Sequence, residues 1–390
     1  MKTYLDKNVY EAALERIAYC FQEFDNVLVA FSGGKDSGVL LNLCYNYADE
    51  HGLLDKLTMY HLDYEAQYQM TTEYVTRTFL EQFPGIRKMW YCVPIKAQSA
   101  CALGEPYWTP WDAAKKKLWV RAMPENPYVV HEGNLDVPFR HGMVDYEFQD
   151  KLSRHFAKKR GTTAVMVGLR ADESLNRYAA VARGKKRRSY EGRKWITQTS
   201  AVTANVYPLY DWRVSDIWTA TARFGFDYNR LYDLLYQAGL TAGQMRVASP
   251  FNDCAQESLK LYKVIDPSNW ARMIGRVNGV NFTGLYGGTT AMGWKTIKLP
   301  PGHTWKSYYE FLLSTMDART AAHYNNILEK SKRYWMQGGT VDPGTADEVL
   351  AAYPLAAVTG KSGRYDGRDI VQFMGYPDDM PVSNFRQVPS

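Results

Sequence analysis

Six consecutive residues, Ser32, Gly33, Gly34, Lys35, Asp36 and Ser37, hold the densest chemistry in the chain. Two glycines let backbone amides approach an oxyanion that a Cβ would hold off. Lys35 adds a mobile cation, and Ser37 adds a hydroxyl donor. Asp36 fits beside a polyphosphate if Mg²⁺ sits between the two negative groups. Set between a strand and a helix, such a loop turns its amides and the first helical N–H groups on one point, where an anion is stabilised. The loop differs from GxxxxGK[ST], which is longer and places its lysine directly before the hydroxyl residue. The plainer reading is a tight βα turn, which needs no such run of six.

Other candidates lie downstream. Asp63 and Glu65 follow an apolar run, where strand ends expose groups to ligands; Asp63 is read as a ribose acceptor, a metal ligand or a simple turn cap. Gly168 opens a segment with Arg170, Glu173 and Arg177, in which the two arginines can clamp a pyrophosphate or an acidic substrate and Glu173 can orient one of them or hold a metal. A surface ion-pair network would use the same residues. Residues 183 to 194 carry seven basic side chains in twelve positions, with Lys185, Lys186, Arg187 and Arg188 as candidates for contacting a polyanion such as nucleic acid. A solvated loop is the alternative. The five cysteines, at 20, 44, 92, 101 and 254, contain no CxxC pair, so no iron–sulfur cluster is expected; sulfur relay through Cys92, Cys101 or Cys254 stays open.

The elements that must position these groups are legible from hydrophobic spacing. Residues 10–24, 71–83 and 144–159 read as amphipathic helices, and 27–31, 56–63, 85–94 and 162–167 as strands. Strands alternating with helices indicate an α/β doubly wound, mainly parallel sheet. Residues 94–142, rich in proline and tryptophan, read as an ordered insertion in which only 111–121 looks helical. Residues 206–218 join a short strand to a helix that Asp211 would cap. From about 239 the repeat stops, and helical stretches near 255–264, 305–316, 319–335 and 345–352 suggest a mainly helical C-terminal domain. The expected division is therefore 1–238, carrying the nucleotide site, and 239–390.

The composition, 46% hydrophobic and 23% charged with a formal charge of +6, suits a globular protein with an anionic ligand. No apolar run approaches membrane-spanning length and no secretory leader is evident, so a cytoplasmic protein without membrane contact is expected.

The loop Ser32–Ser37, the segment from Gly168 to Ser174 and the stretch Tyr207 to Trp218 occur in that order. Together they resemble the phosphoadenosine phosphosulfate reductase branch of the PP-loop ATP-pyrophosphatase superfamily, an adenine nucleotide alpha hydrolase-like fold. The N-terminal wording and long C-terminal part are most similar to immunoglobulin-binding-regulator-A-like proteins, which implies a bacterial cytoplasmic protein and a ParB-like partner. The resemblance also implies ATP and Mg²⁺ as ligands, with ATP split to AMP and pyrophosphate to adenylate an acceptor in nucleic-acid modification or sulfur transfer. Lys35, Asp36 and Arg170 would then act on the phosphates, with Ser32 to Ser37, Asp63, Gly168, Glu173 and Arg177 lining the nucleotide. The reductases use a cysteine in a C-terminal Glu-Cys-Gly-Leu-His segment that is not found here, so reduction is not expected. A nucleotide-dependent docking module without turnover is the non-enzymatic alternative.

Overall fold

The computed structural model describes residues 6–102, 105–182, 189–252, 255–287 and 300–336. Helix α1 (Val9–Glu23) opens the chain behind a reciprocal cap, with Glu11 N–H donating to Asn8 Oδ1 and Asn8 N–H to the Glu11 carboxylate. It leads into β1 (Asn26–Ala30), α2 (Lys35–Glu50), β2 (Leu57–Leu62), α3 (Gln69–Glu81) and β3 (Arg87–Cys92). Two short strands, β4 (Ala97–Gln98) and β5 (Tyr107–Trp108), form a ribbon of their own. Then come β6 (Val129–His131), α4 (Asp145–Arg160), β7 (Thr163–Val167), α5 (Leu175–Ala182), β8 (Ser189–Tyr190), β9 (Arg193–Gln198), β10 (Thr203–Val206), α6 (Val214–Phe224) and α7 (Leu231–Gln237).

The main sheet has eight strands in the order β6-β3-β2-β1-β7-β10-β9-β8. All pairs are parallel except β10–β9 and β9–β8. The chain winds outward from β1 through β2 and β3, then crosses back to β7 on the other side. This is the reversal at which open α/β sheets leave a crevice beyond the strands' carboxyl ends.

Both faces of the sheet are covered, which is why β1 reads as a continuous apolar run rather than an alternating one. Val27 and Val29 belong to the core with Ile17, Phe21, Leu40 and Leu43. Leu28 points into the second core, with Phe148, Leu152 and Phe156 of α4. Removing either layer would expose a buried sheet face, at about 25 cal/mol per Å² of apolar surface.

The structure departs from the sequence reading in four places. The helix expected over 111–121 is a 3₁₀ stretch, Ala113–Leu118, interrupted at Lys115; Trp111 enters it at φ +55°, outside the helical region. The insertion also supplies β6, an edge strand paired with β3, whose apolar signal is only two valines long. Part of the basic stretch is a hairpin: Glu191 and Gly192 take φ +48° and +74° between β8 and β9, the pair of positive values a two-residue turn requires. Asp211 pairs with Arg16 at 2.7 Å, and the cap on α6 is Asp216, which accepts from Arg213 N–H.

After α7 the described helices are α8 (Gln256–Leu259), α9 (Tyr262–Ile265), α10 (Pro267–Arg276), α11 (Val280–Tyr286), α12 (Trp305–Ser314) and α13 (Ala318–Met336). The stretch expected near 345–352 lies outside the described residues. The chain separates into two compact units. One comprises residues up to Ala97, Thr109–Pro250 and Leu261–Arg276; the other comprises Gln98–Trp108, Phe251–Lys260 and the chain from Val277. The first unit holds the whole main sheet together with α9 and α10. Among the described residues no helix is long and apolar enough to cross a membrane.

Candidate functional site

The loop between β1 and α2 is shaped from within. Gly33 sits at φ +76°, and a Cβ there would come within 2.9 Å of Val75 Cγ2, so glycine is required on two counts. Ser32 N–H donates to Ser37 Oγ at 3.1 Å, and Ser37 Oγ–H donates to the Gly34 carbonyl at 3.1 Å. Both serines are thereby committed to the loop's shape. Gly38 N–H begins the helical ladder by donating to Gly34 O. The N–H groups of Lys35, Asp36 and Ser37 precede that ladder and have no acceptor within the helix. Lys35 N–H finds the hydroxyl of Tyr232 at 3.2 Å. Those of Asp36 and Ser37 meet no acceptor among the described residues, so two helix-start donors stay open.

Charged groups converge beside them. Lys35 Nζ lies 3.0 Å from Asp36 Oδ2, and Arg170 Nε donates to Asp36 Oδ1. Arg170 also reaches Asp172 Oδ1 at 2.5 Å. Lys35 and Arg170 are both nearly inaccessible, at 4% and 3% exposure, so their charges act through protein rather than water. Burial works against ionisation of Asp36, but Lys35 and Arg170 outweigh it and hold the carboxyl below its ordinary range. Burial likewise opposes the charge on Arg170, and Asp36 reverses that.

Gly168 is what lets β7 deliver Arg170 to this point. A Cβ at 168 would lie 2.9 Å from both Asp36 C and Ser37 N, so the backbone after β7 packs directly on the first turn of α2. Glu173 is one step removed: it pairs with Arg177 at 3.0 Å and with Arg246 at 2.6 Å. Lys185, Lys186, Arg187 and Arg188 lie outside the described residues.

Asp63 and Glu65 form a second cluster at the end of β2. Asp63 is fully buried, and its carboxylate accepts from Trp90 Nε1 at 2.7 Å, from Glu65 N–H at 2.8 Å and from Arg121 at 2.5 and 2.6 Å. Burial opposes its ionisation, and Arg121 and His61 more than offset that, so its carboxyl is also held low. Glu65 stands at φ +61° and accepts from Trp111 N–H, Val120 N–H and both Nε and Nη2 of Arg276. The structure thus brings Lys35, Asp36 and Arg170 together and sets Asp63 in a separate cluster whose carboxylate oxygens all have donors, while Arg121 Nε is buried there without a hydrogen-bond partner among the described residues.

Several contributors had no sequence signal. Tyr232, Asn229, Arg246, Arg121 and Arg276 come from irregular or late segments with no motif around them. Asn229 ties its turn to the loop by donating to Gly33 O at 3.3 Å and Thr71 Oγ1 at 2.8 Å.

The phosphoadenosine phosphosulfate reductase domain matches residues 26–238, and a domain of unknown function (DUF3440) matches residues 239–390. Uncharacterized protein YbdN of Escherichia coli (strain K12) is 34% identical over 353 residues, covering 89% of this chain and 85% of the relative. Among solved structures, phosphoadenylyl-sulfate reductase from Candida auris, a phosphate complex, overlays with a TM-score of 0.33 at 15% identity, over 60% of this chain and 93% of its own. FMN adenylyltransferase from Candida glabrata, with FAD and inorganic pyrophosphate, gives 0.34 at 14% identity, over 59% and 64%. At these scores the fold rests on the sheet order itself rather than on the overlays.

Proposed function

The chain belongs to the phosphoadenosine phosphosulfate reductase domain family, and we propose that within it this protein cleaves ATP between the α and β phosphates and transfers AMP to an acceptor. The observation that carries the reading is the meeting of Lys35, Asp36 and Arg170 beside two open N–H donors at the start of α2. Two buried cations and two open amides at a sheet reversal form a receptor for a polyphosphate. Before ligand arrives, Asp36 supplies the counter-charge that keeps Lys35 and Arg170 in place. A polyphosphate would take over those cations, and Asp36 would be released toward a metal.

Mg²⁺ fits here in one mode only. Among the described residues no group of three or more ligating side chains exists, so the ion would arrive with the nucleotide, held by Asp36 on the protein side and by phosphate and water elsewhere. When bound, it would supply charge neutralisation at the phosphates. An acceptor nucleophile would attack the α phosphorus, the bond to the bridging oxygen would break, and pyrophosphate would leave with that electron pair. The amides of Asp36 and Ser37, with Lys35 and Arg170, would stabilise the charge gathering on the departing group.

The cysteines support this reading over reduction. Cys20, Cys44, Cys92 and Cys101 are all buried, and burial pushes the thiols of Cys20, Cys44 and Cys92 up, away from the reactive thiolate. Cys254 lies outside the described residues. The test is product analysis: labelled ATP, Mg²⁺ and a cell extract as the source of acceptor should give AMP and pyrophosphate. Release of only ADP and orthophosphate discards the proposal, and nucleotide binding with neither product pair makes the chain a docking module.

A further inference from the structure

We infer that Tyr232 is a further binding residue of the phosphate site, donating its hydroxyl proton to the bound anion. This rests on the reading of Ser32–Ser37 as a polyphosphate receptor and adds a donor from outside the family's loop. The hydroxyl accepts Lys35 N–H at 3.2 Å, and a Cβ on Gly34 would stand 3.4 Å from it, so the oxygen lies directly against the backbone of the loop. The ring passes under Lys35, with Nζ 5.3 Å from its centroid, and packs edge-on against Trp218 at 5.3 Å. The side chain is 4% exposed.

A phenol has one proton to give and lone pairs to accept. Here the accepting side is used by Lys35, and among the described residues no group takes the proton. A buried donor without an acceptor is costly unless a ligand supplies one. Burial, and then the negative charge of Asp36, hold this phenol protonated far above neutrality. The O–H is therefore present whenever the protein is folded. The bond received from Lys35 also polarises the phenol, which strengthens it as a donor. Asn229 fixes the turn that carries it to the loop, so the group is in place before ligand arrives.

The test is titration of the full chain with inorganic pyrophosphate by calorimetry, using wild type, Tyr232→Phe and Tyr228→Phe. Tyr228 is the control because its hydroxyl bonds to Asp233 and Arg230 and not to the loop. Phenylalanine keeps the ring against Trp218 and removes only the hydroxyl. Tyr232→Phe should weaken pyrophosphate binding by about tenfold, the loss expected for one hydrogen bond to a charged group, while Tyr228→Phe binds as wild type. An affinity in Tyr232→Phe equal to or tighter than wild type overturns the inference, tighter binding meaning that the hydroxyl merely holds the anion's place. Failure of wild type itself to bind pyrophosphate and ATP removes the phosphate reading, and the inference with it. Should Tyr232→Phe not fold, NMR on wild type decides: pyrophosphate should move the Tyr232 ring signals together with the Lys35 amide, and a shift confined to the amide overturns the inference.

Discussion

Two acid–base clusters stand at the carboxyl ends of neighbouring strands, and they differ in what they leave unsatisfied. At β1 and β7, Asp36 meets Lys35 and Arg170, and the amides of Asp36 and Ser37 stay open beside them. At β2, Asp63 and Glu65 meet Arg121 and Arg276, and every carboxylate oxygen has a donor. Charge, burial and strand-end position are alike. Open backbone amides at a helix start separate a receptor from a clamp. The first cluster can gain by taking an anion, whereas in the second the carboxylates are saturated and the one guanidinium nitrogen of Arg121 unpartnered among the described residues, Nε, is sealed within the protein. The clamp's work is to hold the 109–121 segment and α10 to the sheet, since Glu65 binds Trp111, Val120 and Arg276 at once.

The largest effect should come from opening the clamp. Glu65→Ala leaves the Arg276 guanidinium buried, with the Glu65 and Arg276 side chains 0% and 2% exposed. Loss of one partner of such a pair costs about 3–5 kcal/mol, to be read as a lowered urea midpoint at an unchanged slope. ATP affinity, measured below the unfolding transition, should stay within about twofold, since small coupling is expected between separate clusters. A large loss of ATP binding with little loss of stability would erase the distinction between clamp and receptor.

Lys35→Met should show the reverse pattern. It removes one cation from the receptor but leaves Asp36 paired with Arg170, so stability should change by about 1 kcal/mol or less. Polyphosphate affinity should fall by about 2–3 kcal/mol, the range for a charge-assisted hydrogen bond. ATP titration beside a thermal melt checks both halves.

Gly168→Ala tests how the receptor is assembled. The added methyl would meet Asp36 C and Ser37 N at 2.9 Å, and backbone yields less readily than a side chain. The start of α2 must shift away from Arg170, at about 1–2 kcal/mol for a crowded small-to-large change. Pyrophosphate affinity should fall with stability, unlike the split expected for Lys35→Met. Unchanged affinity would mean that the approach of β7 to α2 is not needed for the site.

The receptor was more legible in the sequence than the clamp, for a physical reason. Ser32 to Ser37 are contiguous, and a loop that binds through backbone amides writes its requirement in adjacent glycines and small residues. Arg170 and Gly168 follow a strand whose apolar run is unmistakable. Glu65 and Arg276 are 211 positions apart, and Lys35 and Tyr232 are 197 apart. Nothing local demands such pairings; only the folded path of α7 and α10 creates them. The same holds for the insertion, where proline and tryptophan announced order but neither the kink at Lys115 nor the edge strand β6. In residues 189–198 the density of positive charge hid a strand turn that Glu191 and Gly192 mark.

The smallest expected effect is on the pH dependence of stability, and there a third carboxylate sharpens the contrast. Asp36 and Asp63, despite burial, are held low by their cations. Asp145, at the start of α4, is pushed up by burial, and its carboxylate accepts from the Tyr146 amide and the Tyr64 hydroxyl rather than from a cation. For a carboxyl lowered in the folded state, the unfolded chain binds more protons. Its stabilisation is complete above the unfolded value, about 3.9, and is lost as pH falls through the folded value. For Asp145 the sign inverts: the folded chain holds the proton longer, so stability declines as pH rises from about 3.9 through the raised folded value. Asp36→Asn and Asp63→Asn should each flatten the acid limb below about pH 4, whereas Asp145→Asn should remove a decline above it. Urea unfolding at half-unit steps from pH 3 to 6 reads all three. Saturating pyrophosphate should alter the limb owed to Asp36, because the anion competes for Lys35 and Arg170, and should leave the limb owed to Asp63 unchanged. An equal response of both limbs to pyrophosphate would place the ligand at both strand ends and dissolve the separation between receptor and clamp.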